Sequence, residues 1–274
     1  MRKLDVVATV MEAYRGAYSH FFDLVRLVWL PVLIYIVANI AQQEFMQAQM
    51  AALDPNADPM LAMAQTFTWP VVLLMLVALF TWPMIAVAWH RFVLLGDRGQ
   101  SAVNFHFGRR EAVFLLTSIF IALLNLPSLI LIFTAAGVGE AGGAGIALIL
   151  SVLAIVLLVA AAYYSIRLLL LLPAVAIGEP LNARYILDIT RGNFWRLFGI
   201  HLLNALILIG ISILVSFVAV IFLMVPGLEF LNYALQALVI IVYQITSVAI
   251  LSIAYRDLSG MNAGYTPQAD AADN

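Results

Sequence analysis

The sequence has no cysteine, and its 274 residues include only 13 lysines and arginines, 15 aspartates and glutamates and four histidines. Without cysteine there is no disulfide framework, no thiolate nucleophile and no cysteine-ligated zinc or iron–sulfur site. His20, His90, His106 and His201 are scattered without the spacing of metal ligands. A phosphate-binding glycine loop is also missing. "GVGEAGGAG" (137–145) follows an apolar run, has no lysine, and reads as a flexible connection. Charged residues make up 10% of the chain, against about 25% in soluble domains. The net charge of −2 gives no sign of a nucleic-acid partner.

What the chain has in quantity is apolar surface. It is 65% hydrophobic with a mean hydropathy of +1.05, more than a water-soluble core can absorb. Six stretches are long enough to cross a bilayer: 24–41, 69–91, 112–134, 144–166, 197–225 and 229–254. Pro83 and Pro127 fall inside the second and third and should kink them. The expected fold is all-α, a polytopic membrane bundle of six spans with interfacial amphipathic elbow helices.

The basic residues decide the orientation. All 13 fall at one set of span ends, while the opposite connections, 42–68, 135–143 and 226–228, have none. Cytoplasmic loops retain Lys and Arg, so both termini are expected inside, with the membrane domain covering 1–260 and a disordered cytoplasmic tail at 261–274. At the start, Asp5, Glu12 and Arg15 interrupt any apolar signal core, so a cleaved signal peptide is not expected. Leu4, Val7, Met11, Tyr14, Tyr18, Phe21 and Val25 instead recur at helical spacing, which suggests an amphipathic helix lying in the interface.

"WHRFVLLGDRG" (89–99) closes the second span with a histidine and an arginine. In a cleft such a pair would suggest catalysis. At a bilayer edge it is an anchor, and Arg167 and Arg256 hold the same place after spans four and six. Trp89, His90, Arg91, Arg167, Arg191, Trp195, Arg196 and Arg256 are therefore the candidate interfacial lipid anchors. The three boundary arginines also divide the chain into three units, 1–96, 97–178 and 179–260. "RGAYSHFFDLVRL" (15–27) matches "RGNFWRLFGIHLL" (191–203), and "FHFGRREAVFLL" (105–116) is a weaker copy. Positive-inside bias alone would produce part of this pattern, so a true repeat and chance both remain open. In the segment 173–196, Leu181, Tyr185, Ile186 and Ile189 oppose Asn182, Asp188 and Arg191. The expected form is an interfacial helix ended by Gly192 and followed by Phe194 and Trp195.

"RLLLLLPAVAIGEPLNARYILDITRGNFWRLFGIHLL" (167–203), with "SIAYRDLSG" (252–260), resembles a bacterial family of multi-span membrane proteins of unassigned activity. That family is related to the membrane domain of some glycerophosphoryl diester phosphodiesterases and to YciC-like inner-membrane proteins. The resemblance covers the last 100 or so residues closely and the first half by architecture, with "AWHRFVLLG" as a further shared signature. Thr190 stands where a serine is usual, and "YRDLSG" where the family tends to Tyr-Tyr-Asp-Leu-Arg. Kinship implies a bacterial inner-membrane fold. The shared motifs are topogenic rather than catalytic, and no connection is long enough for a soluble phosphodiesterase barrel.

The polar residues inside the spans are uncharged, whereas ion-coupled carriers usually place ionisable groups near the midplane. Asn125, Asn204 and Gln244 are the candidate polar path of a small-solute or lipid transporter. Such amides more often hydrogen-bond between helices. The leading expectation is a non-enzymatic inner-membrane protein, without cofactor or metal, that organises anionic lipids or protein partners through its basic elbows. The transporter is the alternative.

Overall fold

A computed structural model describes residues 3–52, 65–99, 105–225 and 227–261. Among these the regular structure is helical throughout. Helix α1 (Val6–Ser19) begins where the Asp5 carboxylate accepts the Ala8 amide at 2.9 Å. Next come α2 (Phe21–Leu27) and α3 (Trp29–Ala52), which meet at 88°. The first expected span, 24–41, therefore contains a sharp bend, and Pro31 is the cause. It has no N–H for the Leu27 carbonyl and its ring would collide with that carbonyl, so the helix cannot continue straight.

Helix α4 (Trp69–Leu95) runs through Pro83 without interruption and ends at Gly96, whose φ of 67° closes the last turn. Pro127 does interrupt. Helix α5 (Arg109–Leu123) stops, and α6 (Leu126–Glu140) restarts with the proline in its first turn. The segment 137–145 is a shorter connection than expected. The helix persists to Glu140, only 141–143 turn, and α7 (Ala144–Leu168) follows. The chain then forms α8 (Leu171–Ala176), α9 (Ala183–Ile189), α10 (Phe194–Met224) and α11 (Glu229–Ser259). Gly192, at φ 74°, turns α9 into α10.

Five segments are long and apolar enough to cross a membrane: Trp69–Leu95, Arg109–Glu140, Ala144–Ala176, Phe194–Phe222 and Leu231–Ser259. The bent α2–α3 pair makes a sixth when taken as one span. In chain order α3 packs on α4, α6 on α7, and α10 on α11.

The core lies in one half of the bundle. Ile85–Val87, Trp89, Phe92 and Leu94 of α4 are buried against Ile245 and Val248–Tyr255 of α11, together with all of α8. Away from this half, α6, α7 and α10 expose rows of Leu, Ile, Val and Phe, as lipid-facing helices do. Helix α1 packs on the bundle through its smaller residues. Thr9, Val10, Ala13 and Ala17 are buried against α10 and α11, while Val7 (62% exposed), Met11 (56%) and Tyr18 (88%) face outward. The small residues allow close packing on the neighbouring helices, and the bulky ones remain for the surroundings.

Candidate functional site at the basic end of the bundle

Polar side chains converge where α11 ends. Ser252, Tyr255 and Arg256 leave this helix towards three different neighbours. Ser252 Oγ lies 2.7 Å from His90 Nδ1 of α4 and 2.9 Å from the Val248 carbonyl. With the hydroxyl proton on that carbonyl, Ser252 accepts from the Nδ1–H tautomer of His90. Tyr255 donates to Glu179, between α8 and α9, at 2.5 Å. Arg256 forks onto Glu12 of α1 at 2.7 and 3.0 Å, and also donates to Asp257.

The neighbouring helices are tied in the same way. Arg167 donates to Thr190 Oγ1 at 3.0 Å, to the Tyr163 hydroxyl at 2.9 Å and to the Leu187 carbonyl, clamping α7 to the end of α9. Arg196 donates to the Leu4 carbonyl, and the Leu4 amide donates to Asn193 Oδ1 at 3.1 Å. Trp89 Nε1 donates to the Leu24 carbonyl at 2.8 Å. Among the described residues, no buried side-chain nitrogen or oxygen lacks a partner.

These contacts revise the anchor set. His90 is 1% exposed, Trp89 2% and Arg167 8%, so all three face protein. Arg91, Arg196 and Arg256 are partly buried and commit their guanidinium groups to this chain. Only Arg191 and Trp195 of the eight stay on the surface, Trp195 at 77% exposure. Position at a span end marked these residues. Whether each points to lipid or protein depends on helix rotation and on partners distant in sequence, which no local pattern contains.

The three amides of the candidate polar path also separate. Asn125 donates to Ser165 of α7 at 3.4 Å, Asn204 accepts from Tyr14 of α1 at 2.9 Å, and Gln244 donates to Tyr35 of α3 at 2.8 Å. Each serves a different helix pair.

A polar cavity of about 270 Å³ opens beside the locks. Leu27, Met84, Val87 and Ala88 form its apolar side; Arg91, Asp97, His106, Arg110 and Glu111 form the charged one. Arg91 grips one Asp97 oxygen through Nε at 3.0 Å and Nη2 at 2.7 Å, while the other takes the Gly99 amide at 3.1 Å. These bonds, led by that from Arg91, hold the Asp97 carboxyl below its ordinary value of 3.8. Glu111 reaches back to the Gly108 amide at 2.8 Å and so caps α5. Except for Arg91, none of these charged residues was singled out from sequence. The usable signals were Gly108 three residues before Glu111, and "GDRG" directly after a helix. A larger apolar groove of about 600 Å³ runs between α1–α2 and α10–α11, past Tyr14, Phe21, Ile211 and Thr246.

Fold and site together define a polytopic helical membrane protein with a polar-locked basic end. Comparison with protein-family models, curated proteins and solved structures finds no match to this chain.

Proposed function

We propose that the chain is a non-enzymatic bacterial inner-membrane protein, its basic end and termini cytoplasmic, that engages anionic lipid at that surface. One observation carries this reading. Arg91, Arg167, Arg196 and Arg256 are turned inward, yet Lys3, Arg15, Arg26, Arg98, Arg109, Arg110, Arg184 and Arg191 remain exposed. At the same end the exposed acids among the described residues are Asp5, Asp23 and Asp188. Tyr18, Phe22, Phe105 and Trp195 add exposed aromatic rings there. Basic residues near an anionic leaflet contribute about 1 kcal/mol each, and aromatic rings favour the headgroup boundary. The separate partners of Asn125, Asn204 and Gln244 support a packing role for these amides over a transport path. The family resemblance of 167–203 and 252–260 is compatible with this reading, since those segments supply structural locks.

The test is thermal unfolding of the purified protein in mixed micelles containing phosphatidylglycerol or phosphatidylcholine. Phosphatidylglycerol should raise the midpoint, and salt should erase the gain through screening. Equal midpoints in the two lipids at low salt would remove the proposal.

A further inference from the structure

The cavity beside Arg91 carries charges of both signs, and some of its groups are uncommitted. Arg91 and Asp97 satisfy one another. His106, Arg110 and the second oxygen of Glu111 make no hydrogen bond among the described residues. Gly108 makes this arrangement possible. A Cβ there would lie 2.5 Å from His106 Nε2 and 3.3 Å from Glu111 Oε2, so both side chains converge over the bare glycine. The lining therefore offers uncommitted donors from Arg110 and an uncommitted acceptor from Glu111, with His106 beside them. Formal charges of the lining balance, Arg91 and Arg110 against Asp97 and Glu111.

We propose that this cavity holds a zwitterionic headgroup, a phosphate joined to a primary ammonium, as in phosphatidylethanolamine. Arg110 and His106 hydrogen-bond the phosphate oxygens, and Glu111 accepts from the ammonium. These are charge-assisted bonds, the stronger kind. The volume, about 270 Å³, lies just under the range of roughly 300–1,000 Å³ typical of small-molecule pockets. It suits a headgroup with its chains outside. The apolar side, Leu27, Met84, Val87 and Ala88, suits the glycerol and first methylenes of a lipid better than a free phosphate. Phe107 packs edge-on to Phe80 of α4, 5.6 Å between ring centres, and both rings are exposed. The rim of the cavity thus continues onto the lipid-facing surface of the bundle.

The inference rests on the membrane-surface reading only in placing this end among headgroups. Native mass spectrometry of the full chain, offered phosphatidylethanolamine, phosphatidylglycerol and phosphatidylcholine in equal amounts, tests it. One phosphatidylethanolamine should survive activation on the wild-type chain. Arg110→Gln and Glu111→Gln should each lower its retention roughly ten-fold, the scale of one lost charge-assisted bond. Glutamine at 111 still accepts from the Gly108 amide, so this variant retains the helix cap. Arg191→Gln, at the α9–α10 corner, should weaken general adsorption to phosphatidylglycerol and leave phosphatidylethanolamine retention unchanged. Unchanged retention in both cavity variants would overturn the site, as would equal retention of phosphatidylcholine. Stabilisation by soluble phosphoethanolamine equal to that by the lipid would overturn the lipid as its source. Loss of adsorption to phosphatidylglycerol in the wild type, with phosphatidylethanolamine still retained, would sink only the broader reading.

Discussion

Arg167 shows how far a boundary arginine can depart from a headgroup anchor. Its guanidinium reaches Thr190, Tyr163 and the Leu187 carbonyl at once, and its centre lies 5.1 Å from the Tyr163 ring centroid. A lysine has a cation but no planar fork. Arg167→Lys should therefore lower stability by about 1–3 kcal/mol through hydrogen bonds lost from a buried group. Arg191→Lys, at an exposed site, should stay within about 0.5 kcal/mol of wild type. Denaturant titration of the solubilised protein would separate them, and equal stabilities would restore the anchor view of Arg167. Asp97 adds a pH test with a definite sign. Its folded value is depressed, so its contribution is present above the ordinary value of 3.8 and is lost as pH falls through the lower folded value. The stability advantage of wild type over Asp97→Asn should accordingly shrink below about pH 4 and vanish with further acidification. An advantage constant with pH would exclude the Arg91–Asp97 fork. Thr190 supplies the hydroxyl end of this clamp. Its hydroxyl accepts from Arg167 and donates to the Ile186 carbonyl, and a serine would supply the same group.

At the scale of elements, apolar run length placed spans two to six on the observed segments, because bilayer thickness imposes that length directly. Their starts agree more closely than their ends, where most of the helices run on past the apolar stretch. The first span shows where run length alone fails. Trp29, Leu30 and Val32 continue an apolar stretch across Pro31, so composition hides the 88° corner that one missing N–H creates. Helix α1 was legible as a helix, but the face it buries was not. Its large apolar residues point outward, and Val10, Ala13 and Ala17 form the contact because backbones approach closely there. Val6 supplies a direct check, since both its methyl groups lie 3.6 Å from where a Cβ on Gly199 of α10 would stand. In a chain without other cysteines, Val6→Cys with Gly199→Cys should form an intramolecular disulfide on mild oxidation. Proteolysis between the two positions, with and without reductant, would reveal it. Fragments that separate under both conditions would show that α1 does not dock on α10.

For the whole molecule, the polar locks and the core occupy the same half. The asymmetry has a physical origin. Within hydrocarbon, lipid solvates apolar helix faces about as well as protein does, so little drives those faces together. Buried amides, hydroxyls and charges do need partners, and His90–Ser252, Tyr255–Glu179 and Arg256–Glu12 supply them across elements far apart in sequence. The location of the site was legible because charge is sparse and clustered in this sequence. Its wiring was not, since Glu12 and Arg256 lie 244 residues apart. The proposed orientation rests on the same charge asymmetry. If the locked half is cytoplasmic, the turn between α6 and α7 is on the far side and the α8–α9 corner is inside. Ala141→Cys and Leu181→Cys both place a thiol at exposed positions. In intact cells a membrane-impermeant maleimide should label Cys at 141 and spare Cys at 181, which should react only after lysis. The reverse pattern would put eight exposed basic residues outside, and would overturn both the proposed orientation and lipid engagement at the cytoplasmic surface.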